Sequence, residues 1–383
     1  MVVTRAFLGR RPETEEAMAE VSGESQAALR QFSLERMLGY GVDYADAVEL
    51  RARVLTGQDW CAAATELAEI CLQQADNASP DRGCAMRAAC WRRASALLRL
   101  SQALMLSDTD ARRAIFAKAV SLYAQAAELL ADRQHVHIDT PLGTLAGWLF
   151  PSRRAALGSV VVVGGIEGWG MDFESLGDAL ADQGIDALML DAPGQGETRF
   201  AHRVYLSANW RDAYRAAIDY LDARAPGRPI GIVGNSMGGS FAMAVAADDV
   251  RIRACCNNGG VIAPSMVPPV GTFFTKMTVC CDLAAERAVE VWRTVTPVHC
   301  GANQGYPLLI VQGGKDPMVS TPMSQMLLEH APTDDKQMVI FSDGDHCIYN
   351  HKADRDILIA GWMSARLAGL TSHVIAHSNG VAS

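Results

Sequence analysis

The sequence predicts an α/β fold, a mostly parallel sheet with helices on both faces, preceded by an all-α region. Three observations carry this. Up to Arg133 the apolar residues recur at spacings of three and four, with few glycines between them. From His135 onward short apolar runs alternate with helical segments, the pattern of strands joined by crossover helices. At 383 residues the chain exceeds one typical core, so a large domain and a second unit are expected.

In the first part, residues 1–135, segments 61–73, 85–105 and 110–131 are rich in Ala and Leu and read as helices. Asp108 reads as the N-cap before Ala111-Arg112-Arg113. No repeat period runs through these helices. The second part, 136–371, opens with two strands, 137–139 and 142–150, around a Thr140-Pro141 turn. Further strands are expected at 159–163, 186–190, 230–233, 252–256, 307–312 and 337–341. Between 261 and 301 lies an insertion with Pro264, Met266, Pro268, Pro269, Phe273, Phe274 and Met277. It suits a substrate lid, and it suits plain core for the helical part equally. Residues 372–383 form a polar tail without an acid and are expected to be disordered.

Composition narrows the function. A hydrophobic fraction of 49% and a charged fraction of 20% are those of a soluble globular protein. A net charge of −9 argues against nucleic acid as partner. No run approaches the roughly 18 apolar residues of a membrane span, and the apolar start from Met1 to Phe7 is short for a signal peptide. Ten cysteines without a secretory signal are expected as reduced thiols in the cytoplasm. The vicinal pairs Cys255-Cys256 and Cys280-Cys281 do not match zinc spacing, so no metal is expected and no cofactor. The expected partner is a small-molecule substrate, with a homodimer possible.

The chemistry is concentrated in Pro229-Ile230-Gly231-Ile232-Val233-Gly234-Asn235-Ser236-Met237-Gly238-Gly239-Ser240. A short apolar strand enters a sharp G-x-S-x-G turn and leaves it as a helix, the arrangement that projects a serine hydroxyl above a sheet. Gly234 and Gly238 flank Ser236 where a side chain would obstruct the crossing of strand and helix. A serine hydroxyl needs a histidine to take its proton and a carboxylate to hold that histidine. Asp316 follows the strand at 307–312, and His346 follows the strand at 337–341, in the chain order this arrangement requires. Asp343 and Asp345 are expected to shape the histidine turn, and His351 lies past it. An oxyanion needs two backbone N–H groups. One is expected from Met237 and the other from Ile166, with Gly165 as alternative, in the loop Gly164-Gly165-Ile166-Glu167-Gly168-Trp169-Gly170. That loop lacks the G-x-G-x-x-G spacing of a dinucleotide site. Asp191-Ala192-Pro193-Gly194-Gln195-Gly196-Glu197 lies on the same edge and reads as a turn stabilised by Asp191.

Together, Gly164 to Glu167, Asp191 to Glu197, Gly234 to Gly239 and Asp343-Gly344-Asp345-His346-Cys347 resemble the α/β-hydrolases with an N-terminal helical domain. That group includes 2,6-dihydropseudooxynicotine hydrolases, FrsA-like proteins and fungal polyketide-shortening hydrolases. Met37-Leu38-Gly39-Tyr40-Gly41-Val42-Asp43-Tyr44 extends the resemblance into the helical part, so that it spans about residues 30 to 370. It implies a triad of Ser236, Asp316 and His346 and a substrate pocket between helices and sheet. Members hydrolyse a C–C bond beside a ketone, or an ester. Glu167, Tyr40 and Tyr44 are expected to bind substrate, with Tyr40, Asp43 or Tyr44 near the entrance or in the lining of the pocket; the alternative is that this stretch packs a helix junction. The expected function is hydrolysis of a carbonyl compound, a small or secondary metabolite. A non-hydrolytic lyase or cyclase using the same residues, and an inactive ligand-binding protein, are the alternatives.

Overall fold

The computed structural model describes residues 21, 23–79 and 83–370; the expected disordered tail at 372–383 lies outside them. The N-terminal region consists of helices α1 (Gly23–Gln31), α2 (Leu34–Gly39), α3 (Tyr44–Leu55), α4 (Trp60–Asp76), α5 (Cys84–Ser101) and α6 (Asp110–Leu130). Side chains of Ser33, Asp43, Asp59 and Thr109 accept the first free backbone N–H groups of α2, α3, α4 and α6. Thr109, and not Asp108, is therefore the cap of α6. The Asp108 carboxylate instead takes two hydrogen bonds from Arg199, at 2.6 and 3.0 Å, and one from the Tyr205 hydroxyl at 3.0 Å. A fork of charged donors outweighs one backbone N–H, and it ties the helices to the second half of the chain.

The sheet consists of β1 (Gln134–Thr140), β2 (Gly143–Phe150), β3 (Gly158–Val163), β4 (Ile185–Asp191), β5 (Ile230–Asn235), β6 (Ile252–Asn258), β7 (Leu308–Gly313) and β8 (Lys336–Phe341). Its order is β1-β2-β4-β3-β5-β6-β7-β8. The pairs β1/β2 and β2/β4 are antiparallel and all later pairs are parallel. Strands β3, β4, β5 and β7 are buried at every position, as their continuous apolar runs require when helices cover both faces. One apolar layer centres on Trp210, Tyr214, Phe241 and Trp292 from α9 (Trp210–Arg224), α10 (Met237–Asp248) and α12 (Ala285–Arg293). The other joins Trp148, Phe150 and Trp362 to Phe116 and Tyr123 of α6.

The helical region is thus packed onto the sheet, with the Tyr123 ring edge-on to Trp148 at 4.6 Å. A buried ion pair, Arg99 with Asp172 at 2.8 Å, crosses the junction. Arg99 also donates to the Tyr40 carbonyl oxygen at 3.0 Å. Such a pair contributes little net stability but is costly to break on one side, so it fixes how the two parts meet. The insertion at 261–301 folds into a turn at Pro264–Met266, α11 (Gly271–Val279) and α12. Phe274 and Met277 are buried, Met277 within the layer of Trp210, Phe241 and Trp292 and not in the core of the helical region, whereas Thr272, Phe273 and Lys276 line the cavity described below. All ten cysteines are free thiols. Among the described residues no helix is long and apolar enough to cross a membrane.

Candidate active site

Ser236 sits between the end of β5 and the first turn of α10, at φ 52° and ψ −130°. A non-glycine residue at positive φ is strained, and here the crossing of strand and helix imposes it. Glycines make the crossing possible. A Cβ on Gly234 would lie 2.0 Å from the Gly238 carbonyl oxygen, and one on Gly238 would lie 2.4 Å from that of Gly164. The Ser236 Oγ is 2.9 Å from Nε2 of His346, and Nδ1 of His346 is 2.8 Å from Oδ2 of Asp316. The Asp316 side chain is fully buried. Its Oδ1 accepts the N–H groups of Met318 and Val319, which leaves Oδ2 for the ring. The imidazole therefore donates from Nδ1, and in its neutral form presents its Nε2 lone pair to the serine hydroxyl.

His346 stands on an unusual turn. Cys347 and Ile348, the next two residues, both have positive φ, 58° and 56°. Asp345 caps the turn by accepting the Tyr349 N–H at 2.6 Å, whereas Asp343 is exposed and pairs with His351. Burial opposes a charge on the His346 ring, yet neighbouring Cys347 and the Asp316 carboxylate raise its pKa above the ordinary value.

The glycine loop after β3 lies against Ser236, and a Cβ on Gly165 would be 2.8 Å from that of Ser236. The side-chain amide of Gln195 donates to the carbonyl oxygens of both Gly164 and Gly165, each at 2.8 Å, and Gln195 is itself buried. Because a trans peptide points its C=O and N–H in opposite directions, anchoring the Gly165 carbonyl turns the Ile166 N–H the other way. Ile166 lines the same cavity as Ser236. Met237 opens α10, where backbone N–H groups have no intrahelical acceptor. Asp191 fixes the far end of the loop, accepting from Gly170 N–H at 2.8 Å and Glu197 N–H at 2.7 Å. Burial pushes its carboxyl up to about 7, against those two donors. The Asp191 to Glu197 stretch is thus a turn, as expected, and also the brace of the glycine loop.

Above Ser236 is a cavity of about 260 Å³. Its wall combines the helical region (Gln31, Arg36, Tyr40), the glycine loop (Ile166, Glu167), and Lys276 of α11. Glu167 is the hub: it accepts from Gln31 at 2.5 Å, from Arg36 at 3.4 Å, and from Lys276. Burial lowers the Lys276 pKa, with the Glu167 carboxylate opposing. Tyr40 is buried, its hydroxyl accepts from Arg36 at 2.9 Å, and burial pushes its pKa up to about 12. Tyr44, expected beside it, is 47% exposed at the start of α3 and does not line the cavity. Gly41, at φ 83°, turns the chain between the two tyrosines, and Asp43 caps α3 through the Ala45 N–H. Gln31, Arg36, Gln195 and Lys276 were not singled out from sequence. Two of them carried a signal: Gln195 lies in the Asp191 to Glu197 stretch on the site's edge, and Lys276 is the lone charged residue in the apolar stretch 261–281.

The mostly parallel sheet with helices on both faces has the α/β-hydrolase fold, here preceded by an N-terminal helical region. Residues 154–281 match the family model described as serine aminopeptidase, S33. The chain is similar to the 2,6-dihydropseudooxynicotine hydrolase of Paenarthrobacter nicotinovorans, 26% identical over 286 residues covering 70% of this chain and 74% of that protein. It is 28% identical to the alpha/beta hydrolase xenA of Xenoacremonium sinensis over 60% of this chain and 59% of that one. The crystal structure of a 2,6-dihydroxy-pseudo-oxynicotine hydrolase superposes with a TM-score of 0.76 at 23% identity, covering 88% of this chain and 97% of that one. AbyA5 superposes at 0.67 and 16% identity, covering 85% and 90%.

Proposed function

We propose that the protein is a serine-dependent hydrolase that cleaves a small, enolisable or acidic carbonyl compound, at the C–C bond beside a ketone or at an ester. The observation that carries this reading is the continuous relay Asp316–His346–Ser236 at the floor of a walled cavity. In it, Ser236 Oγ attacks the carbonyl carbon while its proton passes to Nε2 of His346. The Ile166 and Met237 N–H groups receive the oxyanion. His346 then protonates the leaving carbanion or alkoxide, and water, deprotonated by the same nitrogen, releases the acid and restores Ser236.

The polar wall favours the substrate class. Two cationic side chains, Arg36 and Lys276, share a single carboxylate, Glu167, which leaves one positive charge to meet a carboxylate or enolate. An enolate is also the leaving group that C–C cleavage of a β-dicarbonyl produces. The relative whose name specifies a pseudooxynicotine hydrolase is compatible with such chemistry, but this chain's substrate follows from its own cavity. The reading takes residues up to 135 as a cap over the site and the substrate as a small cytoplasmic molecule. The test is turnover of a panel of β-dicarbonyl compounds and esters in heavy-oxygen water. Heavy oxygen in the released acid is the expected result; acid released without it would mean elimination rather than acyl-enzyme hydrolysis.

A further inference from the structure

On the far side of the Asp191 to Glu197 brace, away from Ser236, three potential metal ligands converge. His135 and His137 alternate on the edge strand β1 and so project from the same face. Glu197 reaches them from α8 (Gly196–Phe200), its Oε2 2.6 Å from Nε2 of His135 and its Oε1 3.4 Å from Nε2 of His137. The three ligand atoms lie within 4.8 Å of one another. None of the three enters the chemistry proposed above.

We propose that His135, His137 and Glu197 bind one divalent transition-metal ion, with zinc the best match. Imidazole nitrogen and carboxylate oxygen are the donors zinc takes, at about 2.0–2.2 Å. Tetrahedral ligands at that distance stand roughly 3.3 Å apart. The His137–Glu197 separation of 3.4 Å already meets this, and the His135 pair reaches it by opening its hydrogen bond.

The ligands are held for the purpose. The His135 ring stacks on Trp148 with centroids 4.2 Å apart and planes 6° from parallel. Glu197 is fixed through its own N–H on Asp191. A third imidazole, His202, stands edge-on to His137 at 5.3 Å, and its Nε2 is buried without a hydrogen-bond partner. A carboxylate shared by two imidazoles accounts for His135 and His137 but leaves the buried nitrogen of His202 without a partner. A metal ion gives all three imidazoles a role, with His202 the fourth donor after a side-chain rotation. Entry is available through a groove of about 500 Å³ between α6 and α8, which His135 and Glu197 line.

The ion would clamp the edge strand β1 to α8, and so to Asp191 and Gln195, which brace the glycine loop. Its expected signature is therefore binding with a rise in melting temperature. The test uses the full chain without an affinity tag, stripped with a chelator and titrated with zinc against a chromophoric competitor. Expected are one zinc per chain at micromolar affinity or tighter, and a higher melting temperature in zinc than in chelator. In His137→Gln, whose parent side chain is 43% exposed, zinc affinity falls at least tenfold with melting in chelator unchanged. Cobalt(II) in the wild type separates this site from the exposed thiols Cys84 and Cys300, since coordination here gives no thiolate charge-transfer band. Absence of binding, undiminished affinity in His137→Gln, or a thiolate band on the bound cobalt would overturn the proposal.

Discussion

No side chain fits at Gly39, because a Cβ there would lie 2.2 Å from Cδ1 of Tyr349. The contact joins the last turn of α2 to the turn that begins with His346, and the Tyr349 ring also lines the cavity. The helical region therefore touches the histidine loop directly, in addition to roofing the pocket.

Gly39→Ala is expected to push α2 and the histidine turn apart. Overpacking of this kind costs about 1–3 kcal/mol, read as a lowered melting temperature, and kcat should fall because His346 is displaced. Adding Tyr349→Leu in the same chain should recover part of both losses. Full activity in Gly39→Ala would mean that the junction does not position His346.

Gln195 holds two carbonyl oxygens of the glycine loop, and Gln195→Leu keeps its bulk while removing both donors. Loss of an oriented oxyanion donor reduces kcat by roughly 10²–10³-fold, so a fall of that order is expected with KM little changed. A comparable rise in KM with kcat intact would instead assign Gln195 to substrate binding.

The acid limb of kcat/KM reports the proton that must leave His346 before it can act as base. Because that pKa is raised, the limb is expected above the ordinary histidine value of 6.5. Asp316→Asn removes the carboxylate that favours the charged ring, so its residual activity should show the limb moved to lower pH. Its plateau is expected to drop by on the order of 10⁴-fold through the wrong tautomer. Asp343→Asn, altering an exposed side chain, should leave both limb and plateau in place.

Lys276→Met keeps the length of the side chain and removes its charge from the cavity wall. A charge-assisted hydrogen bond is worth about 1.5–3 kcal/mol, so kcat/KM for an acidic or enolisable carbonyl compound should fall about 10–100-fold. A neutral ester should be affected much less. Equal losses on both would place Lys276 in the structure of the lid rather than in recognition.

Much of the arrangement was legible because each element of it is local. Ser236, Asp316 and His346 each follow an apolar strand by a few residues, and strand ends on one edge of a parallel sheet must meet. What sequence did not disclose depends on distant pairing. Gln31 and Arg36 reach Glu167 across 136 and 131 positions, and Asp108 leaves its capping place for Arg199, 91 positions on. Tyr40 and Tyr44 are four residues apart and looked equivalent, yet the positive φ of Gly41 sends one into the pocket and the other to the surface. The strain at Ser236 was readable from its flanking glycines. That at Cys347 and Ile348 was not, since neither residue type favours the left-handed region.

The central claim is that Ser236 is the nucleophile, and its most direct measurement is covalent labelling by a serine-directed phosphonate, located by peptide mass and paired with turnover of Ser236→Ala. The account predicts a single adduct on Ser236 in the wild type and none in the variant. It also predicts an unchanged melting temperature, because one small hydroxyl is lost, and a fall in activity of at least about 10³-fold. An adduct on another residue, or turnover in Ser236→Ala close to that of the wild type, would contradict it.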